Sequence, residues 1–230
     1  MNQIVAKGIV LTRIDYGEAD RIITLLTVDN GKIRLMAKGV RRAKSRLAGG
    51  IELFSISDIT YVQGRGQIGT LISARLRSHY GRIVQDVNRT MLGYELIKLL
   101  NKSTEDESEA EYFHLLEQTF IALDNFSLAL DLIKFWFSAQ LLAQAGYSPN
   151  LYTDKAGQGL TASVKYDFSY ADMSFFSADM GRYSSDHIKY LRLAFSGNSP
   201  VLLNQVTGGA ALLPDLLPIT QTLIMDHIQR

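Results

Sequence analysis

Apolar and polar positions alternate with a period of two through most of the first eighty residues, then change to a helical spacing. AKGIVLTR (6–13) and DRIITLLTV (20–28) are rich in β-branched and apolar residues, and IDYGEA supplies a turn between them. Asp29-Asn30-Gly31 follows. Asn-Gly between two such runs predicts a tight hairpin, because both residues accept positive φ. In KIRLMAK (32–38), Ile33, Leu35 and Ala37 share one face, and Lys32, Arg34, Met36 and Lys38 share the other. IELFSISDITYV (51–62) reads as a long fourth strand and GRGQ as a turn. IGTLISARLR (68–77) reads as a fifth strand, with Ile68, Thr70, Ile72, Ala74 and Leu76 on one face and Arg75 and Arg77 on the opposite one. Five short antiparallel strands predict a small closed barrel, which removes sheet edges. The oligonucleotide-binding (OB) barrel is the leading candidate; an SH3-like barrel satisfies the same periodicity.

Beyond residue 83 the spacing predicts helices. QDVNRTMLGYELIKLLN (85–101) is the first. The acidic STEDESEAE leads into a second over 111–125, starting near Ser108. FSLALDLIKFWFSAQLLAQAG (126–146) is apolar almost all round, as the buried helix of a bundle is, and Gly146 and Pro149 stop it. Residues 150–183, rich in Tyr, Gly, Asp and Ser, predict a small hairpin excursion. SSDHIKYLRLAF (184–195) is a capped helix, VLLNQV after Pro200 a short one, and Pro218 fits the first turn of a last helix. The expected fold class is α+β: a barrel domain over 1–80 and a helical domain over 81–230, with a ribbon-like insertion at 150–183.

Of the 230 residues, 47% are hydrophobic and 20% charged, enough to bury a core. Lys7 and Gly8 interrupt what a secretory leader would need as an apolar run, and Asp131, Lys134 and Gln140 break the most apolar stretch. A cytoplasmic protein with no membrane contact is the expectation. With no cysteine, disulfides, thiolate nucleophiles and Cys-ligated metals are excluded.

Charge changes the picture most. The net charge is +1, yet residues 1–90 carry fifteen Lys and Arg against seven Asp and Glu, a net of +8, and the remainder carries −7. Such segregation points to a polyanionic partner for the first half. KGVRRAKSRLAGG (38–50) holds Lys38, Arg41, Arg42, Lys44 and Arg46 and no acid. Lys32 and Arg34, Arg65 of the GRGQ turn, and Arg75 and Arg77 extend the charge. Single strands are held by a positive groove and by aromatic faces. Phe54, Tyr61 and Tyr80 are the candidates for stacking, with Tyr16 a further one.

GRGQIG (64–69) has the G-x-G-x-x-G spacing, but strand-like TLISARLR follows where a dinucleotide fingerprint needs a helix. The four histidines (His79, His114, His187, His227) are scattered, GxSxG and the P-loop are absent, and the acidic run at 105–111 lacks a calcium loop's alternating ligands. These absences disfavour an enzyme.

VLTRIDYGEADRIITLLTVDNGKIRLMAKGVRRAKSRLAGGIELF (10–54) resembles the N-terminal barrel of the RecO family of bacterial DNA repair proteins, through Tyr16–Glu18, Asp20, Leu25–Thr27, Gly31 and Ala37–Leu47. GYSPNL (146–151) is similar to that family's second signature, which leads into a zinc-binding ribbon. In many members the ribbon carries four cysteines; here Asp154 and Gly157 stand nearest the first pair, which implies that no metal is held and that Tyr and Phe packing holds the segment DFSYADMSFFS (167–177). The resemblance implies a non-enzymatic recombination mediator without cofactor. Such a protein binds single- and double-stranded DNA (ssDNA and dsDNA) and anneals complementary strands. With RecR it helps load RecA on DNA coated by single-stranded DNA-binding protein (SSB). It also implies a site for the SSB C-terminal tail on the helical domain, for which Lys98, Lys102 and Lys134 are candidates. The competing expectation is a protein-interaction scaffold whose basic barrel grips an acidic partner.

Overall fold

The computed structural model describes residues 2–64, 66–105 and 110–229. Five strands, β1 (Gln3–Tyr16), β2 (Asp20–Thr27), β3 (Lys32–Ala37), β4 (Ser55–Val62) and β5 (Ile68–His79), close into a barrel of order β1-β2-β3-β5-β4. All neighbours are antiparallel except β3 and β5, which pair in parallel from Arg34–Ile68 to Met36–Thr70. This is the OB-type barrel that the alternation favoured. The interior is built from Ala6, Val10, Ile23, Leu25, Leu35, Ala37, Ile59, Tyr61 and Leu71. Ile9, Leu26 and Ile56 lie side by side across β2, β1 and β4 and are fully buried outside that interior cluster. They make a second apolar row on the barrel wall.

Two helices lie against this wall: α1 (Val87–Ser103) against β1 and α2 (Ala110–Asp124) against β2. The Asp86 side chain caps α1 by accepting from the Arg89 N–H at 2.8 Å. Barrel, α1 and α2 form one compact unit, Met1–Asp124; Asn125–Arg230 form a second. The sequence boundary at 80 marks where strands give way to helices, and compactness groups the chain differently. The expected helix start near Ser108 lies outside the described residues.

In the second unit α3 (Leu130–Gln144) is the buried helix that the sequence predicts, with α4 (Ser185–Phe195), α5 (Pro200–Asn204) and α6 (Gly209–His227) packed against it. The Phe135 and Tyr190 rings stack with centroids 5.8 Å apart. The Trp136 indole N–H donates to the Asn198 carbonyl at 2.7 Å, which satisfies a buried polar atom. The last helix starts at Gly209, well before Pro218; Pro214 and Pro218 both lie inside it.

The insertion is a three-stranded sheet and not a hairpin: β6 (Asn150–Asp154), β7 (Tyr166–Ser169) and β8 (Ser174–Ser177) in the order β6-β8-β7. Phe175 is fully buried and meets Tyr166, Phe168 and Tyr183 edge-on. Aromatic packing holds the ribbon, as expected of a cysteine-free segment. Asp154 Oδ1 accepts the N–H groups of Ala156 and Gln158 at 2.9 and 2.8 Å, and Lys155 Nζ sits 2.7 Å from Asp172 Oδ2. Structural zinc sites are built from thiolate and imidazole donors. Asp154 is committed to backbone and Gly157 has no side chain, so this donor set does not fit the metal.

Two strands depart from simple alternation. β4 begins at Ser55 rather than 51, because Ile51 is buried in the barrel core and Phe54 has φ +56°, which no strand accommodates. β5 carries irregularities opposite Thr60/Tyr61 and Ile56/Ser57. Each extra residue inverts the faces. Leu71 therefore points to the core, and Ile68, Ile72 and Leu76 are exposed.

Candidate nucleic-acid interface

The basic segment is a plug and not a free loop. Val40 and Ile51 are buried in the barrel core, and Leu47, Ala48 and Leu53 pack against it. Gly50 ends a 3-10 turn (Ala48–Gly50) so close to β5 that an added Cβ would stand 2.4 Å from the Ala74 carbonyl oxygen. The segment thus crosses the barrel end, with Val40, Leu47 and Ala48 pinned while its cations face outward.

The start of the plug is held by the β1–β2 hairpin. Gly39, at φ +65°, donates its N–H to Asp20 Oδ1 at 2.7 Å. The Arg41 N–H donates to the Ala19 carbonyl at 2.9 Å, and its guanidinium donates to the Gly17 carbonyl at 3.3 Å. Arg41 Nε also lies 3.5 Å from Asp15 Oδ2, while Arg21 Nε donates to Asp15 Oδ1 at 2.7 Å. The Arg21 hydrogen bond, and behind it the charges of Arg41, Arg21 and Arg13, hold the Asp15 carboxyl below its ordinary value against the opposing effect of partial desolvation. Arg13 bonds Glu52 at 2.9 Å and the Ile51 carbonyl at 3.5 Å, which ties the end of the plug to β1.

Lys38, Arg42, Lys44 and Arg46 are exposed, and no acid pairs with them among the described residues. Arg41 is exposed but engaged as above. Arg75 is exposed and stands opposite Asp58; Arg77 Nε donates to both Asp58 oxygens, at 2.7 and 2.9 Å. Charge on β5 is thus partly offset. Arg34 is exposed on β3, in a shallow groove with Gln63 and Gln67. Arg65 lies outside the described residues.

Four expected contacts are corrected. Lys32 Nζ donates to the carbonyls of Asn101 and Thr104 at the end of α1, so it caps a helix instead of facing a ligand. Phe54 is 1% exposed, edge-on to Tyr94 and Phe120. Tyr61 belongs to the barrel core, and burial pushes its hydroxyl up. Tyr80 is half-buried against Phe120, its hydroxyl raised by burial and then by Glu117 and Asp124. None of the three offers an open ring face to a base. Tyr16, at the hairpin tip and 56% exposed, does.

Alternation along single strands missed Arg13, Arg21, Asp15 and Asp20. The signal lay in register: a hairpin centred on Gly17–Ala19 sets Asp15 opposite Arg21, as observed. Of the three lysines weighed for an acidic tail, Lys98 and Lys102 are on α1 and Lys134 is on α3, in different compact units.

Among the described residues Ser184, His187 and Asp215 form a Ser-His-Asp arrangement. The Ser184 hydroxyl lies 2.9 Å from His187 Nδ1, and His187 Nε2 lies 3.3 Å from Asp215 Oδ2. The Ser184 N–H also donates to Nδ1, which fixes that nitrogen as an acceptor. This is a capping box at the start of α4. Arg182 pairs with the same Asp215 and fastens the end of the ribbon to α6. Among the described residues no cluster of His, Asp and Glu has the make-up of a metal site, and no helix is long and apolar enough to cross a membrane.

A closed OB-type barrel plugged by a cationic segment and followed by a helical region defines an OB-fold protein of mixed architecture. Two family models match consecutive parts of the chain: Recombination protein O N terminal over residues 1–80 and Recombination protein O C terminal over 84–230. Relatives named DNA repair protein RecO come from Halalkalibacterium halodurans (33% identical, 74% of this chain, 66% of the relative), Desulfatibacillum aliphaticivorans (32%, 66%, 60%) and Alkaliphilus metalliredigens (31%, 72%, 67%). The chain belongs to the RecO family. The matched region spans three-fifths to two-thirds of the length of these three relatives.

Proposed function

We propose that this protein is a non-enzymatic recombination mediator. It binds ssDNA and dsDNA through the plugged end of the barrel, anneals complementary strands, and with RecR helps load RecA on SSB-coated strands. It acts in the cytoplasm, at the nucleoid. The observation that carries this reading is the segment at 38–53, in which Val40 and Ile51 are sunk in the barrel while Lys38, Arg42, Lys44 and Arg46 face solvent without an acid partner among the described residues. Distributed phosphate contacts neutralise charge without reading sequence, which is what bringing two polyanions together requires. The domain line at 80/81, the SSB-tail contact by Lys98, Lys102 and Lys134, and phosphate contacts by Arg34, Arg65, Arg75 and Arg77 belong to the same proposal.

The test is annealing of complementary oligonucleotides, bare and SSB-coated, over a salt series. Acceleration that fades as salt rises supports the reading; no acceleration at any salt refutes it. The burial of Phe54 and Tyr61 favours a second reading, because a surface that grips phosphates without stacking bases also suits an acidic protein. A main partner that survives nuclease treatment and competes with DNA would select it.

A further inference from the structure

Asp15 stands where an acid is least expected on a surface built for phosphates. It sits at the end of β1, on the hairpin that holds the cationic plug, and its two carboxylate oxygens engage two different arginines: Oδ1 takes Arg21 Nε at 2.7 Å, and Oδ2 faces Arg41 Nε at 3.5 Å. The two arginines come from different elements, β2 and the plug, and reach one carboxylate from either side. A phosphate oxygen pair presents the same geometry and charge to a guanidinium. We propose that Asp15 is an internal competitor for the phosphate backbone: it occupies Arg21 and Arg41, and nucleic acid gains these two contacts only by displacing it. Asp15 is thus an affinity-setting residue of the interface. This inference rests on the polyanion-binding reading of the plug.

Three features make displacement practicable. The Asp15 side chain is 52% exposed, so the pair is screened by water and weakly held. Arg41 keeps its backbone bond to Ala19 and its bond to the Gly17 carbonyl, so it stays in place when the carboxylate leaves. Tyr16, at the end of the same hairpin strand, is exposed and gives a strand a ring to lie on. The consequence for annealing is direct. A strand held by every available cation would leave slowly, and a carboxylate that returns to Arg21 and Arg41 speeds its release.

The experiment uses the full chain, a fluorescein-labelled oligothymidylate and a salt series. Asp15→Asn keeps the shape and removes the charge. Removing the competitor steepens the salt dependence by up to about 1.4, at roughly 0.7 for each single-strand contact that Asp15 still blocks in the parent. The gain in affinity over the parent then shrinks by up to about sevenfold between roughly 50 and 200 mM salt. Glu18→Gln is the control for net charge alone, because Glu18 lies on the same hairpin, is exposed, and has no ion-pair partner among the described residues. Asp15→Ser serves as a second variant, with the melting temperature reporting folding. Tighter binding and a steeper slope in both Asp15 variants but not in Glu18→Gln support the proposal. Asp15 variants that match Glu18→Gln or the parent, while removal of Arg42, Lys44 and Arg46 still weakens binding, overturn the proposal and leave the DNA reading standing. If removing those three cations also changes nothing, the DNA reading itself falls.

Discussion

Replacing Arg42, Lys44 and Arg46 together by alanine removes three charges that no acid offsets among the described residues. Arg41 is left in place because its guanidinium bonds the Gly17 carbonyl and Asp15, so its loss would mix structural and electrostatic effects. At roughly 0.7 per contact on single strands, the slope of log affinity against log salt falls by about 2, and on duplex, at roughly 0.9, by nearly 3. A rise from about 50 to 200 mM salt should then cost the parent roughly twentyfold more single-strand affinity than it costs the variant. Stability should hardly move, since exposed substitutions away from caps and core stay within about 0.5 kcal/mol each. Fluorescence anisotropy with a labelled oligothymidylate over the salt series gives the slope, and calorimetry gives the melting temperature. An unchanged slope would refute the reasoning. So would a slope lost together with the fold, because the plug would then be a stability element first. Lys32→Met is the internal contrast: its ammonium caps α1, so the melting temperature should fall while the salt slope stays that of the parent.

Phe54→Ala should destabilise the first unit by about 3–5 kcal/mol, read by denaturant unfolding, because the ring fills the space between Tyr94 and Phe120. Gly93→Ala should also destabilise it, since an added Cβ would stand 2.5 Å from Phe54 Cε1. A strong chelator should leave the melting temperature unchanged, because Asp154 gives its carboxylate to backbone N–H groups and aromatic packing holds the ribbon. Asp215 is held below its ordinary value first by the Arg182 hydrogen bond, against some desolvation, and then by that from His187. A depressed carboxylate stabilises the fold above its ordinary value and loses that contribution as pH falls through the lowered one. Asp215→Asn should therefore melt lower near neutrality and lose part of the fall in melting temperature at the acid end.

The barrel was legible where alternation is unbroken. Ile33, Leu35 and Ala37 read as one face of β3, and Leu35 and Ala37 are fully buried. β5 was misread because its two irregularities have no local sequence mark. They break the alternation along the strand, so that Leu71 is buried while Ile68 and Ile72 are exposed. The cations at 38–46 were legible as composition. Their support was not, because Val40 and Ile51 reach the core only through a tertiary path that no period describes. The aromatic candidates failed for a related reason: Phe54 and Tyr61 look alike as exposed platforms or as core until neighbouring elements are placed. The start of α6 was missed because Pro218 read as a first-turn residue, whereas it and Pro214 both lie inside a nineteen-residue helix.

The helices decide which part of the basic barrel remains open. α1 and α2 cover the wall that carries Ile9, Leu26 and Ile56, and they engage two of its cations. Lys7 pairs with Glu117 at 2.9 Å and lies over the Phe113 ring, and Lys32 caps α1. A polyanion cannot take these lysines without losing contacts that fix the helices to the barrel. On the proposed reading most of the charge left to a ligand lies at the plugged end, on residues 38–46 and the adjoining hairpin, with Arg75 on the strand against which Gly50 packs and Arg34 apart from them on β3. A strand following these positions would cross the end of the barrel from the β1–β2 hairpin towards β5. That path predicts an order of effects. Charge removal at Arg42, Lys44 and Arg46 should cost most, Arg77→Ala less because Asp58 already pairs with it, and Lys7→Met should leave the salt slope as it is. A salt slope that fell most for Lys7→Met would put the ligand on the helix-covered wall and refute the path.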